Sequence, residues 1–156
     1  ILNQVLVPQY AKHFKEKGNV NELQKIIKPN VRKSFFLSSL VLISLLLFGK
    51  NILTLFGKSI NEYTSGFATI IILSFGQLFN VAVGSVGYIL TMAKLEKYVF
   101  IGLTLGIISN LILNSLLVPK FGIQGAAIAT STSMILWNVV MLYFVIRKTK
   151  INPTIL

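Results

Sequence analysis

The sequence contains no cysteine and no aspartate, a single histidine (His13) and four glutamates. Without cysteine, a disulfide framework and a thiolate metal site are both excluded. Without aspartate, a Ser-His-Asp triad cannot be built, and the four glutamates match no metal-ligand spacing. No Gly-rich phosphate loop of the Walker type occurs either. We therefore expect neither an enzyme nor a bound cofactor or metal.

Charge is scarce as well. Charged residues make up 12% of the chain and hydrophobic residues 54%, whereas charged residues form roughly a quarter of a soluble domain. This composition predicts a membrane protein, with the lipid bilayer as a partner. The net charge of +11 would suggest nucleic acid in a soluble chain, but the basic residues fall mainly between apolar runs. We therefore expect no nucleic-acid partner.

Four apolar runs are each long enough to cross the hydrocarbon core of roughly 30 Å, which takes about 20 helical residues. We place the spans at residues 34–56, 64–93, 98–118 and 122–146. The second is longer than a crossing needs and must tilt, kink or protrude. Residues 1–8 look like the end of a preceding transmembrane helix, which predicts a fragment of a larger protein. The predicted fold class is all-α, a polytopic transmembrane helix bundle with four full spans.

Residues 9–33 form the most polar stretch and contain seven of the fifteen basic residues. Within it, Leu23, Ile26 and Ile27 would share one face of a helix. We predict a basic amphipathic helix that lies at the lipid headgroups and is ended by Pro29. Two interpretations of this stretch remain open: a solvated cytoplasmic connector, and a basic patch that binds anionic lipid or a phosphorylated substrate.

The distribution of basic residues predicts an orientation. Twelve of the fifteen belong to one set of alternate connections, formed by residues 9–33, the connection after the second span, and residues 147–156. The other set holds Lys50, Lys58 and Lys120. We expect the protein to lie in the cell membrane. Because Lys and Arg are enriched in cytoplasmic loops, we expect residues 9–33 and the tail 147–156 on the cytoplasmic side.

Small residues recur every four positions in the last three spans, which lets helices approach closely. Gly102 and Gly106 form a GxxxG, and the fourth span carries two such rows. The predicted packing residues are Gly102, Gly106, Gly122, Gly125, Ala126 and Ala129. Between the third and fourth spans, the four residues 119–122 permit only a tight turn, which predicts an antiparallel helical hairpin.

Carboxamides are the main polar groups inside the predicted spans. Gln77, Asn80, Asn110 and Asn114 must find partners or face a watery cavity. We expect interhelical hydrogen bonds, with contact to a substrate as the alternative. Together with Lys50, which is also placed to snorkel toward an outer interface, they form the candidate substrate pathway. The glycines of the second span are open to a further interpretation, as a hinge.

The hairpin of residues 114–130 resembles the N-x-x-L-[IV]-P-x-[FY]-G-I-x-G-A-A-I-A-T hairpin of polysaccharide transporters. These are the Wzx-like flippases of the multidrug/oligosaccharidyl-lipid/polysaccharide exporter superfamily. Residues 52–57 and 73–84 are similar to other segments of that family, in the same order. The resemblance implies the C-terminal lobe of a MATE-like two-lobed transporter, whose partner is the N-terminal lobe of the same protein.

The resemblance also implies a function and a cargo. Such proteins flip undecaprenyl-diphosphate-linked oligosaccharide across the cytoplasmic membrane by alternating access, for surface polysaccharide biosynthesis. Since the predicted spans hold no charged residue except Lys50, any cation that binds the diphosphate is expected in the N-terminal lobe. A multidrug exporter and a lipid II flippase of the same superfamily remain alternatives. A structural membrane subunit is the alternative from a different class.

Overall fold

A computed structural model describes residues 20–55 and 60–155, with the side chains of residues 22–49, 51 and 66–155. Over these residues the chain forms four helices and no strand: α1 (Val20–Leu55), α2 (Ile60–Val83), α3 (Val86–Met92) and α4 (Glu96–Thr149). The predicted all-α class is confirmed. The predictions for residues 1–19 and for the Lys50 side chain lie outside the described residues.

Helix α1 joins two segments that the sequence predicts to be separate, the surface helix within residues 9–33 and the first span. It runs without interruption through Pro29, so the prediction that Pro29 ends a surface helix is wrong. Leu23, Ile27 and Val31 lie four residues apart on one face and are all fully buried. Their shared face continues across the proline, and its burial offsets the roughly 3 kcal/mol that an interior proline costs a helix. The apolar face was identified correctly, but it packs on protein, not on lipid headgroups.

The second predicted span is interrupted near its end. Helix α2 ends at Val83, and α3 begins at Val86. Between them, Gly84 has a φ of 80°, a left-handed conformation that glycine adopts without steric cost. The long apolar run is therefore broken at Gly84 and Ser85, the two residues between α2 and α3.

Helix α4 contains the predicted hairpin. Its dihedral angles depart from helical values at Gly122, where φ is 56° and ψ is −132°. Two arms result, a first arm of residues 96–121 and a second arm of residues 123–149. They pack in antiparallel fashion, since Gly102 lies against Met141 and Gly106 against Trp137. The reversal is sharper than the predicted four-residue turn, because helical geometry continues through Pro119.

The buried core lies where the helix ends meet, not halfway along the bundle. It combines the start of α1, the end of α2, helix α3 and the end of the second arm. Farther along, large apolar side chains such as Leu47, Leu111 and Leu116 are exposed. Within the described residues, three helical stretches are long and apolar enough to span a membrane: Glu22–Gly49, Gly66–Met92 and Glu96–Thr149. Exposed apolar faces of this kind are suited to contact with lipid or with further protein.

Small residues hold α2 against the second arm. Ser131 Oγ donates a hydrogen bond to the Ile72 carbonyl at 3.0 Å. A Cβ added at Gly76 would lie 2.8 Å from that same Ser131 Oγ, so glycine permits the approach that the bond requires. Here a hydroxyl makes the interhelical contact that the sequence analysis expected from carboxamides.

Candidate functional site

The break between α2 and α3 is occupied by the segment that follows α4. We call residues 151–155 the C-terminal strap. In an unbroken helix the Ala82 carbonyl would accept a hydrogen bond from the Val86 N–H. At the break the Val86 N–H donates instead to the Gly84 carbonyl at 3.0 Å, which leaves the Ala82 carbonyl without this partner. The Ile155 N–H of the strap donates to it at 3.1 Å. The strap therefore satisfies a backbone acceptor that the break releases.

Several other contacts fix the strap. Ile151 and Pro153 are fully buried, and Arg32 Nε of α1 donates to the Ile155 carbonyl at 3.2 Å. Asn152 Oδ1 accepts from the Thr154 N–H at 3.2 Å, an Asx turn that shapes the segment. Residues 151–155 belong to the predicted cytoplasmic tail 147–156. They pack against the bundle, because their apolar side chains complete the core around Ile27 and Val83.

Close packing at the break requires glycine. A Cβ added at Gly84 would lie 2.5 Å from the Pro153 carbonyl oxygen and 3.1 Å from a Val31 methyl group. Both the positive φ and this approach therefore restrict residue 84. The break, the strap and α1 are tied together at one point of the bundle.

A cavity of about 580 Å³ opens beside the break. It is bounded by the end of α2, by α3, and by both arms of α4. Its polar or aromatic lining includes Asn80, Ser85, Tyr88, Thr91, Trp137 and Asn138. None of its lining residues is charged. Its chemistry therefore suits an uncharged ligand with hydrogen-bonding groups, or water, and not an isolated ion.

Two buried polar side chains of this lining differ in their bonding. Asn138 Nδ2 donates to the Met134 carbonyl of its own helix at 2.9 Å. Ser85 Oγ is buried and has no hydrogen-bond partner, which costs roughly 1–3 kcal/mol unless water or a ligand supplies one. Ser85 is therefore a buried polar group of the cavity whose bonding capacity is still available.

The described residues at the cavity contain neither a metal-ligand cluster nor an activated nucleophile. Over the described residues, no group of three His, Asp or Glu side chains could hold a metal ion. The cavity offers a serine hydroxyl without an adjacent general base, which is not the arrangement of an activated nucleophile. The lining of the cavity can supply hydrogen bonds and apolar contacts to a ligand.

The predicted pathway residues are dispersed. Asn80 lines the cavity and donates a long hydrogen bond of 3.4 Å to Gln77 Oε1 on the same helix. Gln77 lines a separate apolar groove between α1 and α2. Asn114 Nδ2 donates to the Asn110 carbonyl at 2.9 Å and to Asn110 Oδ1 at 3.0 Å. These bonds lie within single helices, where i,i+3 and i,i+4 spacing bring such side chains together, in place of the expected interhelical bonds.

The predicted packing residues also divide. Gly102, Gly106, Gly125 and Ala129 are buried and Ala126 is partly buried. Gly125 packs against the backbone of Leu117, across the hairpin. Gly122 is exposed and no atom would lie within 4 Å of an added Cβ. Its assignment to helix packing is therefore wrong, and its role is the dihedral reversal.

Comparison with known proteins adds a biological setting. The chain is 31% identical over 145 residues to the capsular polysaccharide biosynthesis protein CapF of Staphylococcus aureus. This alignment covers 92% of the chain and 35% of the relative, so the chain spans about a third of the length of the curated protein it matches. No family model matches the chain, and no solved structure matches it. The chain is thus similar to part of a polysaccharide biosynthesis protein.

Sequence reasoning missed Ser85, Trp137 and the strap as parts of the site. Gly84 and Ser85 did carry a signal, since a Gly-Ser pair late in an overlong apolar run is a usual place for a helix break. Trp137 carried none, because a single aromatic residue on an apolar helix is typical of packing. The strap could not be found, since its contacts to Ala82 and Arg32 join residues far apart in the sequence.

Proposed function

We propose that this chain is part of an exporter that moves a lipid-linked polysaccharide precursor across the cell membrane by alternating access. The observation that carries the proposal is the interrupted helix beside an uncharged polar cavity, within a bundle of helices able to span a membrane. Membrane transporters build substrate sites at such breaks, because irregular backbone is tolerated only where it lines a cavity or is covered by protein. The similarity to CapF supports polysaccharide biosynthesis as the setting.

We further propose that the chain crosses the membrane four times. These crossings would belong to one lobe of a MATE-like two-lobed transporter. At 1.5 Å per residue, each arm of α4 is long enough to cross a core of roughly 30 Å, and Gly122 reverses the chain between them. We place the ends of α1 and α4 that carry Arg32, Arg147 and Lys148 in the cytoplasm. A green fluorescent protein reporter fused after Leu156 should fluoresce, and an alkaline phosphatase reporter fused at the same position should be inactive. External phosphatase activity would contradict this orientation.

The cavity also bears on the cargo. Hydroxyl, carboxamide and aromatic groups without charge suit the sugar part of a lipid-linked oligosaccharide, since sugars combine hydrogen-bonding edges with apolar faces. A diphosphate would need cations, and none lines the cavity. The proposed partners are therefore the oligosaccharide, the bilayer and an N-terminal lobe that receives the diphosphate. No enzymatic step, cofactor or nucleic acid is part of this function.

The test is the location of the precursor in cells that lack the protein. We expect lipid-linked repeat units to accumulate at the cytoplasmic face, where an external glycosidase cannot reach them, and surface polysaccharide to be lost. Complementation with the natural full-length protein should restore both. Normal surface polysaccharide with reduced dye efflux would favour the multidrug exporter, and arrested peptidoglycan synthesis would favour the lipid II flippase. No transport defect of any kind would favour a structural subunit.

A further inference from the structure

A second cleft, of about 330 Å³, lies where the start of the first arm meets the end of the second. Its lining is Tyr98, Tyr143, Phe144, Arg147 and Lys148, none of which lines the cavity beside the break. The rings form its base: Tyr98 and Phe144 are stacked with centroids 4.3 Å apart, and Tyr143 meets Phe144 edge to face at 5.4 Å. Three packed rings give the cleft a rigid base.

Three cations converge on these rings. Lys97 Nζ lies 5.1 Å and Lys148 Nζ 5.6 Å from the centroid of Tyr98. The Arg147 guanidinium lies 5.6 Å from the centroid of Tyr143. In the part of the chain that the structure describes, no carboxylate pairs with any of them. Two ammonium groups on one ring repel each other, and each cation–π contact offsets only about 0.5–1 kcal/mol at an exposed site.

Helix electrostatics explain part of this arrangement. Arg147 and Lys148 belong to the last turn of α4, where cations complement the negative end of the helix dipole. Lys97, however, lies in the first turn of α4, where a cation is unfavourable by the same argument. The preference for basic residues at cytoplasmic ends explains on which side these residues occur. It does not explain why Lys97 and Lys148 share a ring.

We propose that this cleft binds a phosphate group, carried by an anionic lipid headgroup or by a soluble phosphate. The planar guanidinium of Arg147 can donate two parallel hydrogen bonds to two oxygens of a phosphate. A third phosphate oxygen then remains for an ammonium group. One bound phosphate offsets the positive charge of Arg147 and Lys148, the two cations that line the cleft. Tyrosine rings beside cations are also typical of the depth at which lipid phosphates lie.

The experiment is a titration of the purified natural full-length protein in detergent. Short-chain phosphatidic acid is followed by native mass spectrometry, and pyrophosphate by calorimetry. The test variant is Arg147→Gln with Lys148→Gln, and the matched control is Lys94→Gln with Lys150→Gln. Both pairs remove two positive charges from the same end of the bundle, but Lys94 and Lys150 do not line the cleft. A further variant, Arg147→Lys, keeps the charge and removes the fork.

We expect the cleft pair to raise the dissociation constant roughly tenfold to thirtyfold, and the control pair to change it less than about twofold. Arg147→Lys should show an intermediate loss. An effect on phosphatidic acid alone identifies a lipid headgroup as the source, and an effect on pyrophosphate identifies a soluble phosphate. Equal losses in both pairs would show attraction to general surface charge and would overturn the proposal, as would an unchanged affinity of the cleft pair for both ligands.

Discussion

Replacing Gly84 by alanine is expected to lower the free energy of unfolding by about 2 kcal/mol or more. The substitution forces a side chain into a left-handed conformation at a φ of 80°, which costs on the order of 1–3 kcal/mol. It also places a methyl group 2.5 Å from the Pro153 carbonyl oxygen, an atom of the backbone that cannot rotate away. The strap must therefore move. The midpoint of thermal unfolding in detergent should fall by several degrees.

Gly87→Ala is the matched control for Gly84→Ala. Gly87 lies in the neighbouring helix α3, and its nearest contact would be an ordinary 3.9 Å to Met141 Sδ. Alanine should therefore leave stability unchanged or raise it by up to about 1 kcal/mol, as in an unstrained helix. Hydrogen exchange adds a local readout: the Ile155 amide, which bonds to Ala82, should lose protection in Gly84→Ala only. Unchanged exchange there would contradict the role given to the strap.

Replacing Gly125 by alanine should open the hairpin of α4. The new Cβ would overlap the Leu117 carbonyl and lie 3.0 Å from Val118 N. Because both neighbours are backbone atoms of the opposite arm, the two arms must separate near Gly122. We expect a loss of about 1–3 kcal/mol, the usual cost of overpacking. Thermal unfolding measures the loss, and the emission of Trp137, which packs on Gly106 in the same hairpin, reports separation as a shift to longer wavelength.

Gly66→Ala serves as the control for this second prediction. Gly66 lies in α2 and has nothing within 4 Å of an added Cβ. The same methyl group is therefore harmless there and should slightly stabilise the helix. If Gly125→Ala and Gly66→Ala unfold at the same temperature, the close approach of the two arms at Leu117 is wrong.

The sequence predicts well whatever depends on local spacing. The apolar face of Leu23 and Ile27 and the reversal before the small-residue helix both follow from periodicity and from glycine at the turn. Both appear in the structure, although the reversal is confined to Gly122. The prediction of a helix end at Pro29 was wrong because helix propensity is a local quantity. The helix continues because its apolar face is buried against Val83 and Ile151, which are distant in the chain.

The candidate site was less accessible to sequence reasoning for a related reason. Asn80 and Gln77 were identified from their polarity, but polarity does not say whether a carboxamide bonds within its helix, across helices or to a ligand. Several glycines of the second span share similar spacing, and only three-dimensional contact with Pro153 distinguishes Gly84. Ser85 became notable through its burial without a partner, a property that no spacing reveals.

The strap holds three parts of the bundle together at one end. It bonds to the break in α2 and to Arg32 of α1, so α1, α2 and the end of α4 are held as one unit at this end of the bundle. Farther along, the helices present exposed apolar faces. An exporter that works by alternating access needs both a rigid lobe and a surface on which the other lobe moves. In the exporter that we propose, the packed end is suited to be the rigid part of the lobe, and the exposed faces are suited to be the surface that meets the other lobe.

The most direct measurement of the central claim uses the natural full-length protein in liposomes that contain a fluorescent lipid-linked oligosaccharide. A membrane-impermeant reagent, such as a glycosidase added outside, reports which leaflet holds the sugar. We predict that the protein makes nearly all of the labelled lipid accessible, whereas in protein-free liposomes only the outer-leaflet share reacts. Accessibility equal to that of protein-free liposomes, with a protein that is folded by its thermal transition, would contradict the proposal that this bundle moves a polysaccharide precursor.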